Sequence, residues 1–271
     1  MIFNILKKKQ VVSHQLQEKF EEFKVLSEGT DTDSLFDSGY SKDEILNTTF
    51  DSIIKVKNGE YPYERDSVLF EKIEYNFPLI SSLMSIKEKD TKIKIIDFGG
   101  SLGTLYFQNK ILLEKLDRNY EWCVVEQKHY VEKGKEYLED KNLKFYFNLD
   151  EIEIDNSSSL IIFSGVLQYL KNYKEIIHSA IEKKPAFIYV DRTSFNSEPF
   201  EVLTLQTVPS YIYNAQYINR FFEYDKLIKC FEGYELIFEF DSFCDESTKI
   251  YHNNKYIDVN WRGFFLKRIQ K

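Results

Sequence analysis

The stretch Lys94-Ile95-Ile96-Asp97-Phe98-Gly99-Gly100-Ser101-Leu102-Gly103-Thr104 runs from β-branched apolar residues through an acid to a cluster of glycines. Ile93–Ile96 predicts a short buried strand, because β-branched side chains fit a pleated, covered surface. Glycine adopts positive φ freely and lets other groups approach the backbone, so Gly99 and Gly100 predict a tight turn. Leu105–Leu116 then predicts a helix. Strand, glycine turn and helix open a doubly wound sheet, and such sheets bind ligands beyond the carboxyl ends of their strands.

Four more apolar runs follow: Trp122–Val125, Leu143–Phe147, Leu160–Phe163 and Ala186–Val190. Helical stretches such as Tyr130–Glu139 and Tyr173–Lys183 lie between them. Continuous apolar strands alternating with helices predict a parallel sheet covered on both faces. Tyr234–Phe240 and Gly263–Leu266 are separated by a long loop without a clear helix, which predicts a terminal antiparallel hairpin. The expected fold is α/β: a Rossmann-like, seven-stranded, mostly parallel sheet closed by a C-terminal antiparallel hairpin, the arrangement of class I methyltransferases. Residues 1–60 read as a helical N-terminal extension. Leu16, Phe20, Phe23 and Leu26 recur at helical spacing, Gly29–Gly39 breaks the pattern, and Ser41–Glu44 has the form of a capping box for a helix ending near Asn58-Gly59. Residues 61–271 read as the catalytic domain. The segment at about 193–222 is long for a connection and is expected to be an acceptor-binding insert.

Two cofactors suit the glycine turn. A dinucleotide fingerprint wants glycines at 98, 100 and 103, and position 98 is Phe. An S-adenosylmethionine turn wants an acid at the strand end and glycines two, four and six residues later. Asp97, Gly99 and Gly103 match, and Ser101 replaces the middle glycine. An acid at the strand tip also suits a cationic amino group better than a pyrophosphate. Glu126, ending the second strand, can accept both ribose hydroxyls of an adenosyl group. NAD enzymes place an acid similarly, so Glu126 indicates adenosine without choosing between the two. Gly100, Gln127, Asp150, Ser164 and Gly165 complete the candidate cofactor set.

The fourth strand ends in Phe163-Ser-Gly-Val-Leu-Gln-Tyr-Leu170, where class I methyltransferases carry a Ser/Asn-x-h-h-His/Gln-h-h turn. Asp97-Phe-Gly-Gly-Ser-Leu-Gly103, Ser164-Gly-Val-Leu-Gln-Tyr169, Asp191-Arg-Thr193 and Gln206-Thr-Val-Pro209 stand in that order, with Tyr63-Glu-Arg-Asp66 upstream. Together they resemble a methyltransferase family encoded in surface-polysaccharide gene clusters (capsule, O-antigen), over roughly residues 59–267. The resemblance implies the class I sheet, S-adenosyl-L-methionine as cofactor without a metal, and methyl transfer. The expected acceptor is a small polar molecule such as a sugar nucleotide, or a phosphate- or phosphoramidate-type precursor of a surface polysaccharide.

Methyl transfer from a sulfonium depends chiefly on positioning. A hydroxyl acceptor calls for a base as well, and an anionic oxygen calls for cationic holders. Gln168, Tyr169, Asp191 and Arg192 are the catalytic candidates. Asp191 and Arg192 admit three readings: a structural ion pair, an acceptor clamp, or a base held by Arg192. Tyr63, Arg65, Gln206, Tyr211, Tyr217 and Arg220 are the acceptor candidates, with Tyr63, Glu64 and Arg65 expected to fold over the cleft from the N-terminal side. An NAD-dependent sugar-nucleotide oxidoreductase or epimerase is the alternative enzyme, but its Tyr-x-x-x-Lys pair is missing, since Tyr169 is followed at the fourth position by Tyr173. A non-catalytic methyltransferase-like scaffold is the other alternative.

Composition sets the outer limits. A net charge of −8 over 271 residues argues against general nucleic-acid or anionic-membrane binding. A hydrophobic share of 43% supports a packed core, and most of the 19 Tyr and 23 Phe are expected to fill it. Cys123, Cys230 and Cys244 form no Cys-x-x-Cys pair, which disfavours a disulfide framework or zinc ribbon. His14, His129, His178 and His252 share no ligand spacing, so no metal is expected. Lys7–Lys9 follow the apolar start instead of preceding it, and no apolar run reaches a membrane-spanning length. A cytoplasmic setting is therefore expected.

Overall fold

Chain order in the computed structural model, which describes residues 22–27, 29–38, 43–86, 92–154, 157–210, 212 and 214–269, runs as follows. The first elements are β1 (Phe23–Val25), α1 (Thr32–Ser38), α2 (Asp43–Lys57), β2 (Tyr63–Arg65), β3 (Val68–Phe70) and α3 (Phe77–Ser85). The central units are β4 (Ile93–Phe98), α4 (Thr104–Lys115), β5 (Tyr120–Val125), α5 (Lys128–Tyr137), β6 (Leu143–Tyr146), β7 (Ser159–Ser164), α6 (Tyr173–Glu182) and β8 (Phe187–Asn196). The chain ends through β9 (Val202–Thr207), β10 (Gln216–Phe221), α7 (Tyr224–Lys229), β11 (Tyr234–Asp241), β12 (Thr248–His252) and β13 (Lys255–Arg268).

The main sheet has the order β11-β13-β8-β7-β4-β5-β6. Pairing from β8 to β6 is parallel, whereas β13 runs antiparallel to both β8 and β11. The path leaves β4 toward β5 and β6, then returns to β7 on the other side, so the crevice of the switch point lies above β4 and β7. This seven-strand path is the class I methyltransferase arrangement, with β12 added against the start of β13.

Period-two alternation explains why the strands read as continuous apolar runs. Ile95, Trp122, Val124, Phe145, Leu160 and Ile162 pack on one face against Leu46, Leu83, Tyr106 and Val131 of α2, α3, α4 and α5. Ile96, Cys123, Val125, Ile161, Phe163 and Val190 pack on the other against Ile177, Ala180 and Leu227 of α6 and α7. The Cys123 thiol, buried in that second layer, is pushed up to about 12 by desolvation and is inert core. No helix among the described residues is long and apolar enough to cross a membrane.

The N-terminal region departs from the helical expectation. Phe23 and its neighbours form β1, which pairs antiparallel with β9, Phe23 opposite Gln206. Leu16, Phe20 and Ser41 lie outside the described residues. The helix expected to end at Asn58-Gly59 is α2, and Gly59 closes it at φ 77 with its amide donating to the Val56 carbonyl. The insert is a hairpin: β9 pairs with β10, and with β1 it makes a three-stranded sheet. Phe23, Val202 and Phe221 of that sheet pack against Ile250, Ile257, Val259 and Trp261 of β12 and β13. Leu16 to Leu26 has helical spacing, but for Phe23 pairing to a buried strand edge outweighs a weak local preference.

Helix α5 crosses β6 at a glycine. A Cβ on Gly134 would lie 2.5 Å from the Phe145 ring. Alanine gains about 1 kcal/mol of helix propensity, but forcing a methyl into this contact costs about 1–3 kcal/mol. Gly134→Ala is therefore expected to lower the thermal midpoint by a few degrees, and adding Phe145→Leu to restore part of it. A rise in the midpoint for Gly134→Ala alone would contradict the packing argument.

Candidate functional site

The turn after β4 is shaped by three left-handed residues: Gly99 at φ 72, Ser101 at φ 53 and Gly103 at φ 87. The Gly99 amide donates to the Val125 carbonyl at 2.9 Å, which ties the turn to β5. A Cβ at Gly99 would lie 2.4 Å from Val166 Cγ2, and one at Gly100 would lie 2.6 Å from the Asp97 carboxyl carbon. Ser101 holds the conformation that the expected middle glycine would take without strain. Gly103 caps α4 and faces Leu143, so it shapes the turn without lining the cleft.

Two cavities meet at Gly99, Ser101 and Gly165. The larger, about 550 Å³, is walled by Phe98, Val125, Phe147, Leu149 and Val166, with Glu126, Gln127 and Asp150 along one side. That volume is in the range of small-molecule sites. Phe36 of α1, Tyr169, and Tyr217 and Ile218 of β10 close its far side. The smaller, about 100 Å³, is lined by Asp97, Gly100, Thr104, Ser164 and Arg192 from the sheet side, and by Tyr63, Glu64, Arg65 and Asp66 from the β2–β3 hairpin.

Three of the acids lining this cleft are raised by burial. Asp97 accepts from the Trp122 indole at 3.1 Å. Glu64 accepts from the Thr104 hydroxyl and from the Ser67 amide at 3.1 Å. Glu126 accepts from the Gln127 amide. Desolvation pushes each of the three carboxyls up to about 7. Asp66 behaves oppositely: burial alone would raise it, but the Arg192 guanidinium holds it below its ordinary value. At the rim, Asp150 pairs with Lys183 at 2.6 Å.

A β-bulge positions Arg192. Thr193 pairs with Arg262 and Val190 with Phe264, so Asp191 and Arg192 together oppose Gly263. Arg192 sits at φ 50, and the extra residue turns its side chain toward the cleft. Its guanidinium bridges Asp66 at 2.8 Å and Asp245 at 3.3 Å. This is an ion pair between elements, and the Asp191 carboxyl, the partner of Arg192 in one of the three readings of the sequence, is not in it. Asp191 is fully buried and lines neither cavity. It accepts from Asn76 Nδ2 at 2.6 Å, from the Tyr189 hydroxyl at 3.3 Å and from the Arg192 amide at 2.7 Å. Burial pushes its carboxyl up to about 6. A base in contact with an acceptor is thus not what this geometry offers at Asp191.

The remaining candidates divide in the same way. Tyr169 and Tyr217 line the larger cavity and meet edge to face, ring centres 5.2 Å apart. Gln168 is buried outside both cavities and donates to the Arg192 carbonyl at 2.9 Å. Gln206 lies behind Tyr169, accepting from its hydroxyl at 3.0 Å and donating to Glu22 at 3.1 Å. Arg220 also faces away: it donates to the Leu170 carbonyl at 2.8 Å, pairs with Glu201 at 3.4 Å and lies over the Tyr173 ring. Tyr63 and Arg65 line the smaller cavity, and Arg65 pairs with Glu74 at 3.1 Å. Tyr211 lies outside the described residues. The structure adds Thr104, Asp66, Phe147 and Val166 to the cleft. Asp66 and Val166 stand inside the motifs Tyr63-Glu-Arg-Asp66 and Ser164-Gly-Val-Leu-Gln-Tyr169 and Thr104 closes the glycine stretch, whereas Phe147 had only its place at the end of an apolar run.

Among the described residues, no group of three or more His, Cys, Asp or Glu side chains is arranged to hold a metal ion. No family model and no curated protein sequence matches the chain. Among solved structures, the chain is similar to an S-adenosylmethionine-dependent methyltransferase from Mesorhizobium loti, at 7% identity and a TM-score of 0.41 over 69% of this chain and 96% of that one. It is also similar to the N-terminal domain of EvdMO1, solved in the presence of SAH and D-fucose, at 12% identity and a TM-score of 0.43 over 84% and 98%. A third is the Burkholderia thailandensis 1,6-didemethyltoxoflavin-N1-methyltransferase with bound S-adenosylhomocysteine, at 10% identity and a TM-score of 0.39 over 84% and 90%. The strand order and directions of the main sheet are those of a methyltransferase-like fold.

The raised acids make the ligand-free protein sensitive to pH. Their folded pKa values, about 7, lie above the ordinary carboxyl range, so the stability they confer is full below that range and is lost as pH rises through about 7. Thermal midpoints are therefore expected to fall between pH 5 and 8, and to fall less in Asp97→Asn, which keeps the Trp122 hydrogen bond. A wild-type midpoint that rises over this window would contradict the assignment. Removing Arg192 leaves Asp66 and Asp245 facing each other without their cation. Arg192→Ala is expected to cost about 3 kcal/mol in urea unfolding, and Arg192→Lys to recover only part, since an ammonium lacks the guanidinium fork.

Proposed function

We propose that this chain is an S-adenosylmethionine-dependent methyltransferase. The observation that carries the proposal is the glycine turn at the switch point, flanked by Asp97 on β4 and Glu126 just past β5 and opening into both cavities. The side chains suit the cofactor's parts. Phe98, Val125, Phe147, Leu149 and Val166 form an apolar slot for a purine. Glu126, at the tip of β5, offers two acceptor oxygens to a ribose diol. Asp97, on the far side of the turn, faces the end of the cleft where the cofactor's amino-acid tail would lie. The absence of side chains at Gly99 and Gly100 keeps the turn close to Val166 and Asp97.

Bound S-adenosylmethionine supplies a methyl group already activated on a sulfonium sulfur. What this chain contributes is orientation of the acceptor and exclusion of water. The β2–β3 hairpin covers the smaller cavity, and Arg192 fastens that cover through Asp66. Ser164, Gly165, Tyr63 and Arg65 supply the polar wall against which a small acceptor would lie. We assign oxygen methylation of a small polar acceptor, a sugar nucleotide or a phosphate- or phosphoramidate-type precursor of a surface polysaccharide. The support for that acceptor class is the order of the motifs from Tyr63-Glu-Arg-Asp66 to Gln206-Thr-Val-Pro209.

Calorimetric titration tests the cofactor. S-adenosylmethionine and S-adenosylhomocysteine are expected to bind with micromolar affinity and NAD not to bind, and Glu126→Gln is expected to weaken both adenosyl ligands by about tenfold. Binding of NAD without either adenosyl ligand would overturn the proposal. For the acceptor, mass spectrometry of surface polysaccharide from a deletion strain should show loss of one methyl group.

A further inference from the structure

Glu64 belongs to the β2–β3 hairpin, outside the sheet that carries the glycine turn, yet its carboxyl faces the same small cavity as Asp97, Gly100 and Ser101. It is 1% exposed, as is Asp97. The groups that donate to Glu64, the Thr104 hydroxyl and the Ser67 amide, are neutral, and so is the Trp122 indole that donates to Asp97. The two guanidinium groups lining the cavity are engaged with other acids: Arg65 with Glu74, and Arg192 with Asp66 and Asp245. Buried acids ordinarily sit beside a cation, because a carboxylate out of water is costly without one. Two buried acids with neutral donors, lining one cavity from the β2–β3 hairpin and from β4, form a receptor for a cation that arrives with a ligand. Their raised proton affinity in the ligand-free protein agrees with this.

We infer that Glu64 is a second cofactor-recognition residue, which with Asp97 clasps the α-ammonium of the cofactor's amino-acid tail and so couples cofactor binding to the seating of the N-terminal hairpin. The inference rests on the proposed cofactor. The geometry favours the ammonium because the cavity lies at the Asp97 end of the glycine turn, and the adenosine-sized cavity begins at the Glu126 end. Glu64 is also fastened to Thr104, the first residue of α4. A ligand drawing on Glu64 therefore pulls the hairpin against the turn that holds the rest of the molecule.

The test is calorimetric titration of wild type and Glu64→Gln with three ligands: S-adenosylhomocysteine, its analogue lacking only the amino group, and 5′-methylthioadenosine, which lacks the whole tail. A hydrogen bond to a charged group predicts that Glu64→Gln weakens S-adenosylhomocysteine by roughly tenfold to a hundredfold. The other two ligands should keep their wild-type affinities, which also shows that the variant is folded. Equal weakening of all three ligands, or an unchanged affinity for S-adenosylhomocysteine, would overturn the role of Glu64 while leaving the cofactor assignment standing. Failure of wild type to bind any adenosyl ligand would instead remove the cofactor and this role together. Should Glu64→Gln not fold, Glu64→Asp, which withdraws the charge by one methylene, must show the same selective loss or the inference is wrong.

Discussion

The backbone at the tip of β4 has no room for side chains. Gly99 is hemmed in by Val166 and Gly100 by the carboxyl of Asp97, so two loops from neighbouring parallel strands approach at backbone distance. This close approach keeps the cleft at the switch point narrow and continuous, with one cavity on each side of the turn. It also buries Asp97 against Trp122, and burial is what raises the proton affinity of that carboxyl. The geometry of the turn and the electrostatics of the cleft thus have a common cause.

Coverage of that cleft depends on charges from distant parts of the chain. Arg192 projects from a bulge in β8 and holds Asp66 of the β2–β3 hairpin and Asp245 of the loop between β11 and β12. The insert adds a second layer of cover. Its hairpin borrows β1 from the N-terminal region and shares a core with β12 and β13. Two strands that precede the main sheet therefore contribute: β1 stabilises the insert, and β2 delivers Tyr63, Glu64 and Arg65 to the smaller cavity.

Much of the fold was legible because its signals are local. Ile93–Ile96 and Leu160–Phe163 each lie within an observed strand, Ala186–Val190 starts one residue ahead of β8, and the glycine turn falls where Gly99 and Gly100 announced it. The cofactor-side candidates Glu126, Gln127, Asp150, Ser164 and Gly165 all reach the cleft, because each sits at a carboxyl strand end and topology places those ends together. The acceptor-side candidates were less legible. Gln206 and Arg220 lie on a hairpin whose orientation depends on β1 and on the β12–β13 hairpin, and they are occupied by Tyr169, Glu22, Leu170 and Glu201.

The sequence by itself determined the strand order's raw material and the acids at the strand tips, since apolar period, glycine spacing and strand ends are written within a few residues of one another. Only the tertiary structure decided which way Asp191 and Arg192 face. They are adjacent in sequence at the end of one strand, yet Asp191 turns inward to Asn76 and Tyr189 while Arg192 turns to the cleft and to Asp66. The deciding feature is the bulge opposite Gly263, set by the register between β8 and β13 across some seventy residues of chain. Register is a property of two paired segments, so neither segment's sequence carries it alone.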